Sequence, residues 1–198
     1  DTKEDLFLTD EMLETRHYQV LDMGYKAYSS IPYGFSTIDN NLFAGVSDEA
    51  QYVSTVSATQ RFNEGSWNQY YNPNDVFSWM YTGIYDVHYY LENTEDYITV
   101  LGRNRDTMNT SGMDSYLRDI QDVERLRSEV QVLKAYYYFE LAKRYGGVPI
   151  VNQTFENPEA ANLPRASFDE VITEIVSLVD GSLPELVKGW ADVGMSEL

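Results

Sequence analysis

The segment Ser128–Val151, SEVQVLKAYYYFELAKRYGGVPIV, reads as one long helix followed by a hard stop. Leu126, Val130, Leu133, Tyr137 and Leu141 recur at steps of four, three, four and four, the period of one helical face. Val132, Ala135, Phe139 and Ala142 mark a second apolar face beside it, at steps of three, four and three. A helix apolar on two faces sits between neighbours, as in bundles and stacked helix pairs. Gly146 and Gly147 then offer a left-handed cap, and Lys143 and Arg144 in the last turn meet the negative end of the helix dipole. Pro149 forbids the helix to resume and drives Val148 into extended backbone.

Working outward, the chain of 198 residues is long enough for one large domain or part of one, and its 43% apolar content is enough for a core. No apolar run approaches bilayer length, and no secretory apolar region opens the chain. With no cysteine there are no disulfides, thiolate metal sites or Cys nucleophiles. Two histidines, His17 and His88, make no His-rich metal site between them unless carboxylates supply the remaining ligands, and no metal is expected. Thirty-two acidic against fourteen basic residues give a formal charge of −18. That field repels phosphate backbones and anionic lipid heads, so neither nucleic acid nor a membrane surface is an expected partner. Seventeen tyrosines suit polar-rimmed helix packing and stacking on sugar rings equally.

Taken in order, Thr9 is a plausible N-cap for a helix running to about Ser30, with Leu13, His17, Val20, Leu21, Gly24 and Tyr28 on its inner face. Between Tyr33 and Asn63 the periodicity is lost among Gly34, Asn40, Asn41, Gly45 and Ser47. The adjacent carboxylates Asp48 and Glu49 lack the spaced pattern of a calcium loop. Asn74 or Asp75 caps a helix to about Glu92, with Phe77, Met80 or Tyr81, Ile84, Val87 or His88, and Leu91 as its buried stripe. A short helical turn is expected within 94–101, an exposed loop over Gly102–Gly112, and a helix over 114–122. Residues 150–163 read as a polar connector. Ser167 with Glu170 forms a capping box, Val171, Ile172, Ile175 and Val179 give a buried face, and Gly181 ends that helix.

The loop Glu64–Asn74, EGSWNQYYNPN, carries the candidate binding residues Trp67, Asn68, Tyr70, Tyr71 and Asn72. Gly65 and Asn72-Pro73 mark it as irregular, yet it holds three large rings. Binding residues tend to sit on loops held by a rigid scaffold. Aromatic faces pack on the C–H side of a pyranose while side-chain amides reach its hydroxyls. The competing role is filling a gap between helices, balanced against binding for Trp67 and ahead of it for Tyr71, beside the next helix.

The run Glu129–Pro149 resembles the signature helix of the SusD/RagB family through Glu129, Leu133, Lys134, Ala135, Tyr137, Tyr138, Leu141, Arg144, Tyr145, Gly146, Val148 and Pro149, with Val130 and Val132 as conservative departures. Trp79, Tyr81, Gly83-Ile84 and Leu91-Glu92 are similar to another family helix, in which His88 stands where Asn is usual. Leu163-Pro164-Arg165, Ser167, the run 172–178 and Leu183-Pro184 resemble the block that follows. The resemblance implies an all-α, SusD-like fold of tetratricopeptide-type helix pairs packed as a solenoid or bundle, with long irregular loops. Residues 1–198 would be the N-terminal, helical-repeat portion of one such domain, truncated at both ends. It further implies a non-catalytic, lipid-anchored, cell-surface protein of the Bacteroidetes outer membrane. Such a protein captures oligo- or polysaccharide for a SusC-like, TonB-dependent transporter, and its only tie to the membrane is an N-terminal anchor this sequence lacks.

A peptide-binding relative or helical scaffold is the alternative, recognisable by a stripe of Asn and charged residues on a concave helical face. An all-α glycosidase would need a carboxylate pair in an aromatic setting, and none stands out. No Gly-x-Ser-x-Gly turn, phosphate-cradling loop or dinucleotide fingerprint occurs, so no cofactor is expected.

Overall fold

The computed structural model describes residues 16–32, 37–38, 41–54, 56–68, 70–103, 105–155 and 162–186. The expected cap at Thr9, Leu13 of the first inner face, the breaks at Gly34 and Asn40, and the segment 188–198 lie outside them. Among the described residues the fold is all-α, with β structure confined to two strands of two residues each. Contacts divide the chain into two compact units, residues 1–30 with 79–198, and residues 31–78.

The first unit is built on α5, Thr110–Tyr145, a single helix of 36 residues. The helices expected over 114–122 and 128–145 are one, because DVERLRS holds no Gly or Pro and Arg125 bridges back to Asp122 at 2.7 Å. The loop expected as far as Gly112 ends earlier: the Asn109 side chain accepts the Gly112 N–H at 2.8 Å and starts the helix at Thr110. Leu126, Val130, Tyr137 and Leu141 are buried as the periodicity requires, and Leu133 is half-buried.

The second face departs from expectation. Ala135 and Ala142 are buried, but Phe139 is half exposed, with the Lys143 ammonium 4.7 Å from its ring centroid. Lys134 and Tyr138 are buried in its stead. The helix α6, Phe168–Ser182, packs along α5, and Lys134 Nζ reaches Glu174 at 3.4 Å. Periodicity shows that a position is apolar; the direction from which the neighbour arrives decides whether it is covered.

Around α5 pack α1, His17–Tyr25, and α4, Tyr97–Gly102. After Tyr25 the chain tightens into a 3-10 turn, Lys26–Ser30. Three residues per turn carry the inner face from Gly24 through Ala27 to Ser30, so Tyr28, expected inside, faces out. The helix α3, Phe77–Asn93, buries Met80, Ile84, Val87 and His88. Phe77 is exposed, because it opens the helix one turn before the packed stripe begins. Buried Asp86 is neutralised by Lys26 at 3.0 Å, and Arg127 of α5 donates to the Leu91 carbonyl at 2.8 Å near the end of α3.

Helix α5 stops as expected at Gly146, which has φ +72° and ψ −124° and donates to the Ala142 carbonyl. Gly147 serves a different purpose, since a Cβ there would stand 2.0 Å from the Ala166 oxygen. Lys143 and Arg144 do more than face the dipole: both clamp the Glu140 carboxylate at 2.6 Å. Beyond Pro149 the chain is a strap pinned by α3. Tyr81 Oη donates to the Pro149 carbonyl at 2.6 Å, His88 Nε2 lies 2.9 Å from the Val151 oxygen, and the Thr154 N–H donates to Glu92 at 2.7 Å.

The capping box forms as expected, with Ser167 accepting the Glu170 N–H and Glu170 accepting the Ser167 N–H. Of the expected α6 face only Val171 is buried, and Ile172, Ile175 and Val179 are half-buried. Gly181 does not end α6, which continues to Ser182 and passes into a 3-10 turn at Leu183–Glu185. No described helix is long and apolar enough to cross a membrane.

The second unit holds β1, Thr37–Ile38, antiparallel to β2, Asn41–Leu42, with Thr37 opposite Leu42. It also holds a 3-10 turn, Phe43–Val46, and α2, Ala58–Asn63, which the sequence pattern did not predict. The Ser57 hydroxyl caps α2 by accepting the Gln60 N–H at 3.3 Å. The Tyr52 ring covers Gly45, where a Cβ would stand 2.3 Å away, and its hydroxyl accepts the Leu42 N–H at 2.7 Å.

Candidate functional site

Within residues 31–78, α2 is the anchor and the loop after it carries the candidate side chains. Gln60 Nε2 donates to the Tyr52 carbonyl and Asn63 Nδ2 to the Gly45 carbonyl, both at 2.9 Å, which ties α2 to the 3-10 turn and to the segment that follows it. At the end of α2, Gly65 takes φ +66°, and a Cβ there would meet no atom within 4 Å, so this glycine answers a backbone need and not a packing one. Ser66 folds back, its N–H on the Arg61 carbonyl at 3.0 Å.

The loop then turns back on itself at an isolated antiparallel bridge. Asn68 and Tyr71 exchange backbone bonds of 2.9 and 3.1 Å. The Asn68 side-chain oxygen accepts the Tyr70 N–H at 2.8 Å, and the Asn72 oxygen accepts the Asn74 N–H at 2.9 Å. Each is the Asx turn that favours Asn at these positions. Asp75 accepts the Phe77 N–H at 3.0 Å and so leads into α3. The Asn68 and Asn72 oxygens each accept one bond within the loop itself, and their NH2 groups are donors a ligand can use.

The three rings have unlike surroundings. Trp67 is 54% exposed and Tyr70 89% exposed. Trp67 leans on Phe62 at 6.0 Å between centroids, which fixes its orientation without covering it. Tyr71 is 39% exposed and held by Arg61, whose guanidinium lies 4.9 Å from the ring centroid and donates to the Tyr71 hydroxyl. Arg61 and Phe62 are the members of the arrangement that sequence reasoning missed. Their signal was the Ser57 cap, which would have put both on a helix leading into the loop.

Chemically, the arrangement can stack flat apolar rings and donate hydrogen bonds. Among the described residues no group of three or more His, Asp or Glu is placed to hold a metal ion. His17 stands 3.5 Å from Asp122 and 3.7 Å from Asp119, carboxylates already paired with Arg125 and Arg105 at 2.7 Å each. His88 serves the strap.

Residues 10–186 match the model of a SusD-like family described as starch-binding and associating with the outer membrane. No curated protein matches the sequence. Among solved structures, a laminarin-binding SusD-like protein superposes with a TM-score of 0.60 at 22% identity, over 87% of this chain and 34% of that one. A SusD-like protein from Bacteroides fragilis gives 0.58 at 22% identity, over 98% of this chain and 34% of that one. The chain therefore spans about a third of the length of either structure, and the likeness is one of fold.

Proposed function

Because the chain belongs to the SusD-like family, we propose that it is part of a non-catalytic glycan-binding protein of the bacterial outer membrane, with the loop after α2 as one of its sugar contacts. The observation that carries this is the exposure of Trp67 and Tyr70 on a loop whose backbone is locked by two Asx turns and by Arg61 on Tyr71. Large rings held open to water on a scaffold-borne loop offer a ligand flat apolar area to cover. A pyranose covers it with little loop ordering on binding, which keeps the entropic cost low.

Each stacked ring contributes about 1 to 2 kcal/mol by area and geometry. Two rings and two or three hydrogen bonds from the Asn68 and Asn72 amides give moderate, reversible affinity. Reversibility suits hand-over to a SusC-like TonB-dependent transporter, the partner we assign to the whole protein, with a lipid anchor as its tie to the membrane. The acidic charge of −18 suits a neutral ligand better than a polyanionic one.

The test is affinity electrophoresis of the whole protein through gels containing starch, laminarin or other neutral polysaccharides, with Trp67→Ala and Tyr70→Ala beside it. Retardation of the parent that both variants lose supports the loop. A parent retarded in no gel, or one that releases reducing ends from the polysaccharide, overturns this reading.

A further inference from the structure

The inward positions of the first described segment are Val20, Leu21, Gly24 and Ala27. Tyr18, Tyr25 and Tyr28 stand outside that inner row. Tyr18 is 82% and Tyr25 48% exposed. These two lie seven residues apart, on one helical face with exposed Asp22 between them, about 10 Å along the axis. The Tyr25 and Tyr28 rings meet at 6.3 Å and 61°, making a corner and not a flat sheet. Tyr28 is fixed in that corner, because its hydroxyl donates to Glu129 Oε2 at 2.8 Å. The other Glu129 oxygen is 3.7 Å from Arg125 Nε, and Arg125 also holds Asp122 at 2.7 Å. Rings and polar groups thus share one surface and are held by helices rather than by a loop.

We propose that Tyr18, Tyr25 and Tyr28, with Asp22 of α1 and Arg125 and Glu129 of α5, form a second sugar platform selective for neutral glycans; this rests on the glycan-binding function proposed above. A pyranose seats its C–H face on Tyr25 against the edge of Tyr28, and a linked ring further along reaches Tyr18. Carboxylates at Asp22 and Glu129 accept from sugar hydroxyls, and Arg125 holds the Asp122 and Glu129 carboxylates beside them. Asp22, Asp122 and Glu129 against one guanidinium leave the surface negative, so uronic-acid and sulfated chains are repelled. A rigid platform loses little freedom on binding, in the way that preorganised sites gain affinity.

The experiment is affinity electrophoresis of the whole protein in gels containing laminarin, a neutral glucan, or polygalacturonate, an anionic one. Tyr18→Ala, Tyr25→Ala and Tyr28→Phe are run beside Trp67→Ala, and hydroxyl-radical footprinting of Tyr18 and Tyr25 is done with and without laminarin. The expected result is binding to laminarin only, weakened about tenfold by Tyr25→Ala and less by Tyr18→Ala and Tyr28→Phe. Laminarin should also protect both tyrosines. Because Tyr18 is almost fully exposed, Tyr18→Ala keeps the fold and remains informative should Tyr25→Ala fail to fold. Laminarin binding unchanged in all three tyrosine variants overturns the platform while leaving the loop site standing. Equal binding to polygalacturonate overturns the charge selectivity. Tyr18 and Tyr25 already protected without ligand would mean that another part of the protein covers the surface, which also overturns it. A parent that binds no glycan brings down the proposed function, and this inference with it.

Discussion

The ring of Tyr137 lies across the backbone of Gly83: a Cβ on Gly83 would stand 2.5 Å from Tyr137 Cε2 and 2.8 Å from the Ser30 Cβ. Tyr137 is fully buried, and its hydroxyl donates to the Ala27 carbonyl, so one side chain of α5 joins α3 to the turn after α1. Two effects of Gly83→Ala oppose each other. Helix propensity favours alanine by up to about 1 kcal/mol. Overpacking against a side chain that cannot retreat costs about 1 to 3 kcal/mol. The net expectation is a loss of about 1 to 2 kcal/mol in urea unfolding. An unchanged or raised midpoint would show that Tyr137 yields.

The paired glycines after α5 should fail differently. Gly146→Ala forces a side chain to φ +72°, ψ −124°, at a cost of about 1 to 3 kcal/mol. Gly147→Ala drives a methyl against the Ala166 carbonyl, backbone that cannot swing aside, and should cost about 3 kcal/mol or more. Amide exchange separates the two. Only Gly147→Ala should strip protection from the Ala166 N–H, which donates to the Val148 carbonyl at 3.2 Å.

His88 should make stability depend on pH. Burial, then the Lys134 ammonium, holds it below its ordinary range, while the Val151 carbonyl, Glu92 and Glu174 pull the other way. The folded state therefore keeps His88 neutral, and the unfolded chain takes up a proton first, at about pH 6.5. Its contribution is full above about pH 6.5 and is lost as pH falls from there towards the depressed folded value. Urea midpoints at about pH 7.5 and about pH 5.5 should differ in the wild type and differ less in His88→Asn. Equal slopes in the two proteins would remove His88 as the cause.

In the loop, binding and stability should come apart. Trp67→Ala and Tyr70→Ala should each weaken retention on a neutral polysaccharide about tenfold while changing stability by less than about 0.5 kcal/mol, since both rings are more than half exposed. Arg61→Ala should weaken binding as well, through loss of its hold on the Tyr71 ring and hydroxyl. Rescue by Arg61→Lys should be partial, because an ammonium keeps the cation over the ring but not the planar donor. Retention unchanged in all three would detach this loop from glycan binding.

Much of the fold was legible because its signals are local. The 3.6-residue period from Leu126 to Leu141, the stop at Gly146, and the box at Ser167 and Glu170 each depend on backbone hydrogen bonds a few residues apart. Helix α2 was missed because six residues are too few to show a period, and with it went Arg61 and Phe62, the supports of the candidate loop. The loop's irregularity was evident from Gly65, Asn68 and Asn72. The use of both Asn oxygens inside it was not, since a side-chain amide gives no sign in sequence of which half faces inward.

The sequence by itself determined that this protein is helical, where its long helix stops and where the next begins, because φ preferences and capping act over a single turn. Only the tertiary structure decided that Lys134 and Tyr138 go inside while Phe139 and Tyr28 stay out. It also decided that Gly147 exists to let Ala166 pass, and that Tyr81, His88 and Glu92 hold the strap. Those outcomes turn on the direction from which distant segments approach, and no periodicity within one helix carries that information.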